Sequence, residues 1–299
     1  MSRRLAALNL LLRALVKPRL KRTAGPQEAL RDFDLSSRWL LRRPAGIRHA
    51  ERPGELHWIS AGPCRPDRVI LYFHGGGYIT GSPYSHEGLI ARLSRLSHIE
   101  VCAPAYPLAP ANPCPAPFDA AVEAWARCRE LGYLPENIAF AGDSAGGGLA
   151  LSLLGWCCEQ GEPPGCAVVF SPWCDLTMTG QSLRGNADTD PYLPVDRMEE
   201  LVALTLGEAA RDDPRISPLY ARFPGCPPVM IHYSATEILA DDARRMAYRL
   251  RGFGADVALR QHPDAPHAWP VFDGWIPEAR ATLREAARFV QASLGAIRR

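Results

Sequence analysis

Residues 137–158 read NIAFAGDSAGGGLALSLLGWCC, and this stretch decides the architecture. Ile138 to Ala141 is a short apolar run that reads as a strand, and Ala145 to Cys158 continues as a helix. Between them, Gly142-Asp143-Ser144-Ala145-Gly146 spells G-x-S-x-G in the strand–turn–helix context of a nucleophile elbow. The glycines are needed because the strand must turn sharply into the helix, where neighbours come too close for Cβ atoms. The turn lifts the Ser144 hydroxyl clear of the sheet. It also puts the Ala145 N–H at a helix N-terminus, aimed at developing negative charge. Asp143 is expected to shape the elbow and not to move protons. A serine N-cap in a tight turn would look similar, but a second motif points the same way.

That motif is His74-Gly75-Gly76-Gly77-Tyr78, which follows the strand-like run Arg68 to Phe73. A serine nucleophile needs N–H donors for the tetrahedral oxyanion, and glycines let backbone reach a substrate oxygen unobstructed. Gly75, Gly76 and Ala145 are the expected oxyanion donors. A phosphate loop would require G-x-x-x-x-G-K-[ST], and the glycine run has no lysine. His74 itself reads as a local hydrogen-bonding residue.

Further strands are expected at Ile99 to Ala103, Cys166 to Phe170, Val229 to Tyr233 and Asp256 to Gln261. Helices are expected at Phe118 to Leu131, Leu239 to Arg251 and Pro277 to Leu294. Thr177 to Ala221 reads as irregular and partly helical, and residues 1 to about 55 as helix, Pro/Gly break and helix without strand signal. Strands alternating with long helices imply a mostly parallel sheet covered on both faces. Ligands bind such sheets beyond the carboxyl ends of the strands, where the glycine run, the Ser144 turn and an acidic cluster after Tyr233 all fall.

Ser144 needs a base, and the base needs a carboxylate to hold its tautomer. His267, in the loop between the last strand and the final helix, lies at the same end of the fold and after Ser144. His232 and His262 read as packing or hydrogen-bonding residues; His86 and His98 precede the serine, and His49 and His57 lie near the N-terminus. For the acid, the loop after Val229 to Tyr233 offers Glu237, Asp241 and Asp242. Glu237 comes first and is the expected member; Asp241 and Asp242 suit the positive end of the next helix, and Asp241 remains the alternative.

The 299 residues carry 34 Lys and Arg against 32 Asp and Glu, a net charge of +2, with 47% hydrophobic residues. This balance argues against a nucleic-acid partner and against disorder, and no apolar window is long enough for membrane insertion. The nine cysteines are scattered without zinc spacing and read as reduced thiols, which fits a cytoplasmic protein. Leu8, Leu11, Leu12 and Leu15 give the N-terminus the spacing of an amphipathic helix that packs on the body of the protein.

Taken together, these motifs resemble the hormone-sensitive-lipase-like branch of the α/β-hydrolase esterases. The resemblance spans roughly residues 55 to 295. It rests on HGGGY at 74–78, YPLAP at 106–110, GDSAGG at 142–147, SPW at 171–173, SPL at 217–219, EILADD at 237–242 and Pro266-His267. It implies an α/β-hydrolase fold with an eight-stranded, mostly parallel sheet and a helical cap. The N-terminal helices (1–55) and an insertion at about 180–215 would form the cap, with 56–299 the catalytic domain. It further implies hydrolysis of short- to medium-chain carboxylic esters by Ser144, His267 and Glu237, with no metal and no cofactor. The triad acid is often Asp in this family, so Glu237 is a departure. Rival readings are an amidase or lactonase with the same triad, or a non-catalytic receptor for a small ligand. The expected partners are a small ester and, at most, a second copy of the chain as a homodimer.

Overall fold

The structure is a computed structural model and describes residues 2–295. Met1 and residues 296–299, the extreme ends of the two units expected from sequence, lie outside the described residues. The strands are β1 (Ile47–Arg52), β2 (Leu56–Ala61), β3 (Arg65–Phe73), β4 (Ile99–Pro104), β5 (Ile138–Asp143), β6 (Cys166–Phe170), β7 (Val229–Ser234) and β8 (Val257–His262). They form one eight-stranded sheet in the order β1-β2-β4-β3-β5-β6-β7-β8. β1–β2 and β2–β4 are antiparallel, and every other pair is parallel.

Alternation along β3 shows how the sheet sorts its two cores, because successive side chains point to opposite faces. Val69, Leu71 and Phe73 join Phe140 and Val169 in the core under α5 (Ala116–Glu130), α6 (Ser144–Glu159) and α9 (Ala240–Gly252). Ile70 and Tyr72 join Val101 and Val168 beneath α4 (Glu87–Ser97) and α10 (Pro277–Gly295). Covered on both sides, the central strands read as continuous apolar runs.

The antiparallel end corrects the sequence reading. β1 lies inside the stretch read as strand-free, and β2 was also missed. β1 is the solvent edge of the sheet, with no buried residue in Ile-Arg-His-Ala-Glu-Arg and therefore no apolar pattern. β2 is fully buried, but His57 and Ser60 interrupt its apolar run. The strand expected at Arg68 is accordingly the third in chain order. Helix α4 was likewise not expected.

The N-terminal segment, which lines one cavity with Gly76 and Ser144 at the strand ends, comprises α1 (Arg3–Leu11), a π-helical turn (Leu12–Val16), α2 (Lys17–Arg22) and α3 (Pro26–Leu40). The insertion after β6 adds α7 (Ser182–Gly185) and α8 (Met198–Leu206). Leu5 and Leu12 anchor the N-terminal segment against Trp269, Phe272 and Ile276. Among the described residues no helix is long and apolar enough to cross a membrane.

Candidate active site

Ser144 sits where β5 ends and α6 begins, with φ at +53°. That left-handed conformation is unfavourable for a non-glycine residue and persists only where the surroundings impose it. Here they do: a Cβ on Gly146 would run into the carbonyl oxygens of Phe73 and His74, and one on Gly142 into the Gly146 carbonyl. The elbow is therefore wedged against the end of β3, backbone to backbone.

His267 meets Ser144 from the loop after β8. Its Nε2 lies 2.8 Å from Ser144 Oγ and its Nδ1 2.7 Å from Glu237 Oε2. The second oxygen of Glu237 accepts the Ser234 N–H at 2.9 Å, so the carboxylate is held at both ends. Glu237 and His267 are buried. Burial opposes the charged form of His267. The hydrogen bond and charge of Glu237, aided by Asp190 and Asp143, outweigh it and hold the imidazole pKa above its ordinary value.

The other candidate acids face elsewhere. Asp241 accepts the Ser182 N–H at 2.9 Å and pairs with Arg244 at 3.0 Å. Asp242 accepts the Cys174 and Asp175 N–H groups at 2.8 and 2.9 Å, and burial pushes its carboxyl up to about 7. Asp143 accepts from the Tyr72 hydroxyl at 2.6 Å and lies 3.5 Å from His86. His74 stacks on Tyr106 with ring centroids 4.2 Å apart, and burial drives its pKa down to about 3.

The expected oxyanion donors do not all face the cavity. The Gly75 N–H is already committed, donating to Asp143 Oδ1 at 3.1 Å, and Gly75 does not line the cavity in front of Ser144. Gly76 and Gly77 do line it, and neither N–H donates a hydrogen bond among the described residues. At Gly76, φ is +124° and a Cβ would collide with Thr80, so the loop needs glycine there. The spare donors thus sit one residue further along than the motif suggested.

With this geometry in view, the comparisons with known proteins fall into place. A family model described as the alpha/beta hydrolase fold matches residues 70–271. The chain is 33% identical over 240 residues to an acetyl-hydrolase of Streptomyces hygroscopicus, covering 80% of each chain. It is 33% identical over 234 residues to the esterase LipU of Mycobacterium tuberculosis, covering 76% of this chain and 79% of that one. A crystal structure of an esterase from the bacterial hormone-sensitive lipase family superposes with a TM-score of 0.91 at 32% identity. That superposition covers 99% of both chains. The chain belongs to the α/β hydrolase fold family, in its hormone-sensitive-lipase branch.

In this hydrolase, the space before Ser144 is a cavity of about 610 Å³. Leu12, Leu15, Phe33 and Trp39 from the N-terminal helices and Tyr192, Leu201 and Leu204 from the insertion line it. Among the described residues no group of three or more His, Cys, Asp or Glu is arranged to hold a metal ion.

Asp190 was missed by sequence reasoning. It is buried, and its carboxylate accepts the N–H groups of Tyr192, Leu193 and Ile238 at 2.8, 3.0 and 2.9 Å. The neighbouring Asn186 side chain donates to the carbonyls of Ala235 and Glu237. The insertion thereby grips both sides of the loop that carries Glu237. Lys17 in turn donates to the carbonyls of Ala187 and Asp190, both at 2.7 Å. The available signal was only the Asn186-to-Asp190 run, in which Ala187 is the one apolar residue.

Proposed function

We propose that this member of an esterase family is a serine carboxylesterase that works through an acyl-enzyme. The observation that carries the reading is the continuous hydrogen-bonded line Ser144–His267–Glu237 at the floor of an apolar cavity. His267 Nε2 takes the Ser144 proton as Oγ attacks the ester carbonyl. The oxyanion is held by N–H groups of Gly76, Gly77 and Ala145. His267 then gives its proton to the leaving alcohol, and the acyl group remains on Ser144. A water deprotonated by the same imidazole attacks the acyl carbonyl. Collapse of that second tetrahedral species frees the acid and returns the proton to Ser144. Glu237 keeps Nδ1–H pointed at itself, so Nε2 is the basic nitrogen, and it faces the imidazolium as that forms. Every step uses the chain's own groups and water.

The N-terminal helices and the 180–215 insertion act as the cap over the catalytic domain. Within the expected 1–55 unit, the cap portion ends before β1. The apolar lining of the cavity supports acyl chains of about two to eight carbons, since each buried methylene contributes about 0.8 kcal/mol only until the space is full. The test is an acyl-length series of activated esters on the purified protein, with Ser144→Ala as blank. A rise and fall of kcat/KM within that range is expected, and Ser144→Ala retaining a tenth of wild-type activity would overturn the assignment.

A further inference from the structure

Charge is unevenly spread along this chain. Residues 1–43 hold eleven Lys and Arg against three Asp and Glu, a net +8, so the remaining residues carry −6. The same segment exposes Leu10, Leu11, Leu15, Leu35 and Trp39; Trp39 is 83% accessible, Leu15 65% and Leu35 60%. Such apolar exposure concentrated in one small region marks an interaction surface, not the scattered apolar residues of any protein surface.

The arrangement on α3 is regular. Arg31, Leu35, Arg38 and Trp39 fall at i, i+4, i+7 and i+8, which places them on one face of the helix. The other side of α3 is occupied: Phe33 stacks on His86 and Ser37 is buried. Arg31 and Arg38 are exposed and form no ion pair among the described residues. Leu15, Leu35 and Trp39 also rim the cavity that ends on Ser144. The exposed apolar face and the entrance to the site are therefore the same place.

We infer that the outer face of the N-terminal helices docks on an anionic lipid bilayer, with the mouth of the cavity turned toward the membrane. Basic side chains meet the anionic headgroups, and Trp39, Leu35 and Leu15 enter the boundary between headgroups and acyl chains. Tryptophan suits that boundary, having an apolar ring with one polar N–H. The acidic remainder of the molecule is repelled by the same surface, which orients the chain. Binding is peripheral and reversible.

Sedimentation with sucrose-loaded vesicles tests this, using the full chain with Ser144→Ala so that no lipid is consumed. Cosedimentation is expected with equal parts phosphatidylglycerol and phosphatidylcholine, and at least about tenfold less with phosphatidylcholine alone, since each basic group near an anionic surface contributes roughly a fivefold factor. Tryptophan emission shifts to the blue on binding, and Trp39→Phe loses that shift while still sedimenting. Arg31→Glu with Arg38→Glu lowers the bound fraction at least about tenfold. In the Ser144 background the same pair leaves kcat/KM on a soluble acetate ester unchanged, which reports an intact fold. Equal binding to both vesicle types overturns the inference, as does equal binding by the charge-reversed variant or an emission shift that survives Trp39→Phe. Inactivity of the parent on the soluble ester would instead overturn the proposed function and leave the vesicle result standing.

Discussion

The carboxyl ends of the strands and the cap above them hold their residues by different means. Around Ser144 the contacts are made by backbone and short side chains: Gly146 lies against the Phe73 and His74 carbonyls, and Glu237 accepts the Ser234 N–H. The cap is tied down by long side chains reaching backbone carbonyls far along the chain. Arg13 donates to Asp188 and Thr189, Lys17 to Ala187 and Asp190, and Arg197 to Lys21 and Thr23. The first kind of contact has little freedom to lose, whereas the second must order flexible stems. On the proposed function, chemistry belongs to the strand ends and fit to the cap, and mutations should separate the two.

The largest effect should fall on the strand ends. Ser144→Ala and His267→Ala each lower kcat by about 10⁶-fold with unchanged melting temperature, because triad members act as a unit. Glu237→Gln follows, with a loss of up to about 10⁴-fold in kcat by analogy with the acid-to-amide change in serine proteases. Asp241→Asn costs only about 0.3–1 kcal/mol of stability at its helix N-terminus. A near-normal Glu237→Gln beside a crippled, folded Asp241→Asn would transfer the role of the acid.

The pH profile sharpens the same point. The proposed mechanism needs neutral His267, whose pKa is held above its ordinary value by Glu237. Wild-type kcat/KM should therefore rise with pH through a titration above 6.5. In Glu237→Gln burial is no longer offset, so the acid limb moves to lower pH. A limb that stays in place would show that Glu237 does not set it.

Asp190→Asn probes the join between the regions. Its loss of charge loosens the Ile238 N–H and lets the Glu237 loop drift, and misplacement of a catalytic group can cost up to about 10²-fold in kcat. The expected signature is a fall in kcat with little change in KM, and the reverse pattern would assign Asp190 to the cap alone. Lys17→Met should do least. It removes two charge-assisted bonds, worth roughly 1–3 kcal/mol of stability, and raises KM several-fold with kcat nearly intact.

How much of this was legible follows the same division. Ser144 stands in a local motif and His267 was reached by its place after the last strand, whereas Asp241 stayed open beside Glu237 until the structure put Glu237 against His267; the central strands could be read from their apolar runs. The oxyanion donors could not be placed to the residue, because only the fold reveals that Asp143 has taken the Gly75 N–H. β1 carried no apolar pattern, since its partners lie on one side only. Helix α4 did carry one, with Leu89, Ile90, Leu93 and Leu96 at helical spacing, and it was legible though not among the expected elements. Asp190 was hidden for another reason: its partners Ile238 and Lys17 are 48 and 173 residues away.

The N-terminal helices have a consequence in time. Ser2 is bonded to Glu278 through both its backbone N–H and its hydroxyl, at 2.8 and 3.0 Å. Leu5 packs against Trp269, some 264 positions later. During synthesis this segment must wait for residues made more than 260 positions later before it finds its seat. Until then the apolar lining of the cavity stands open to any neighbouring chain, a period in which unfinished chains are prone to aggregate. Completion of the cap thus doubles as a signal that the strands beneath it have all been made.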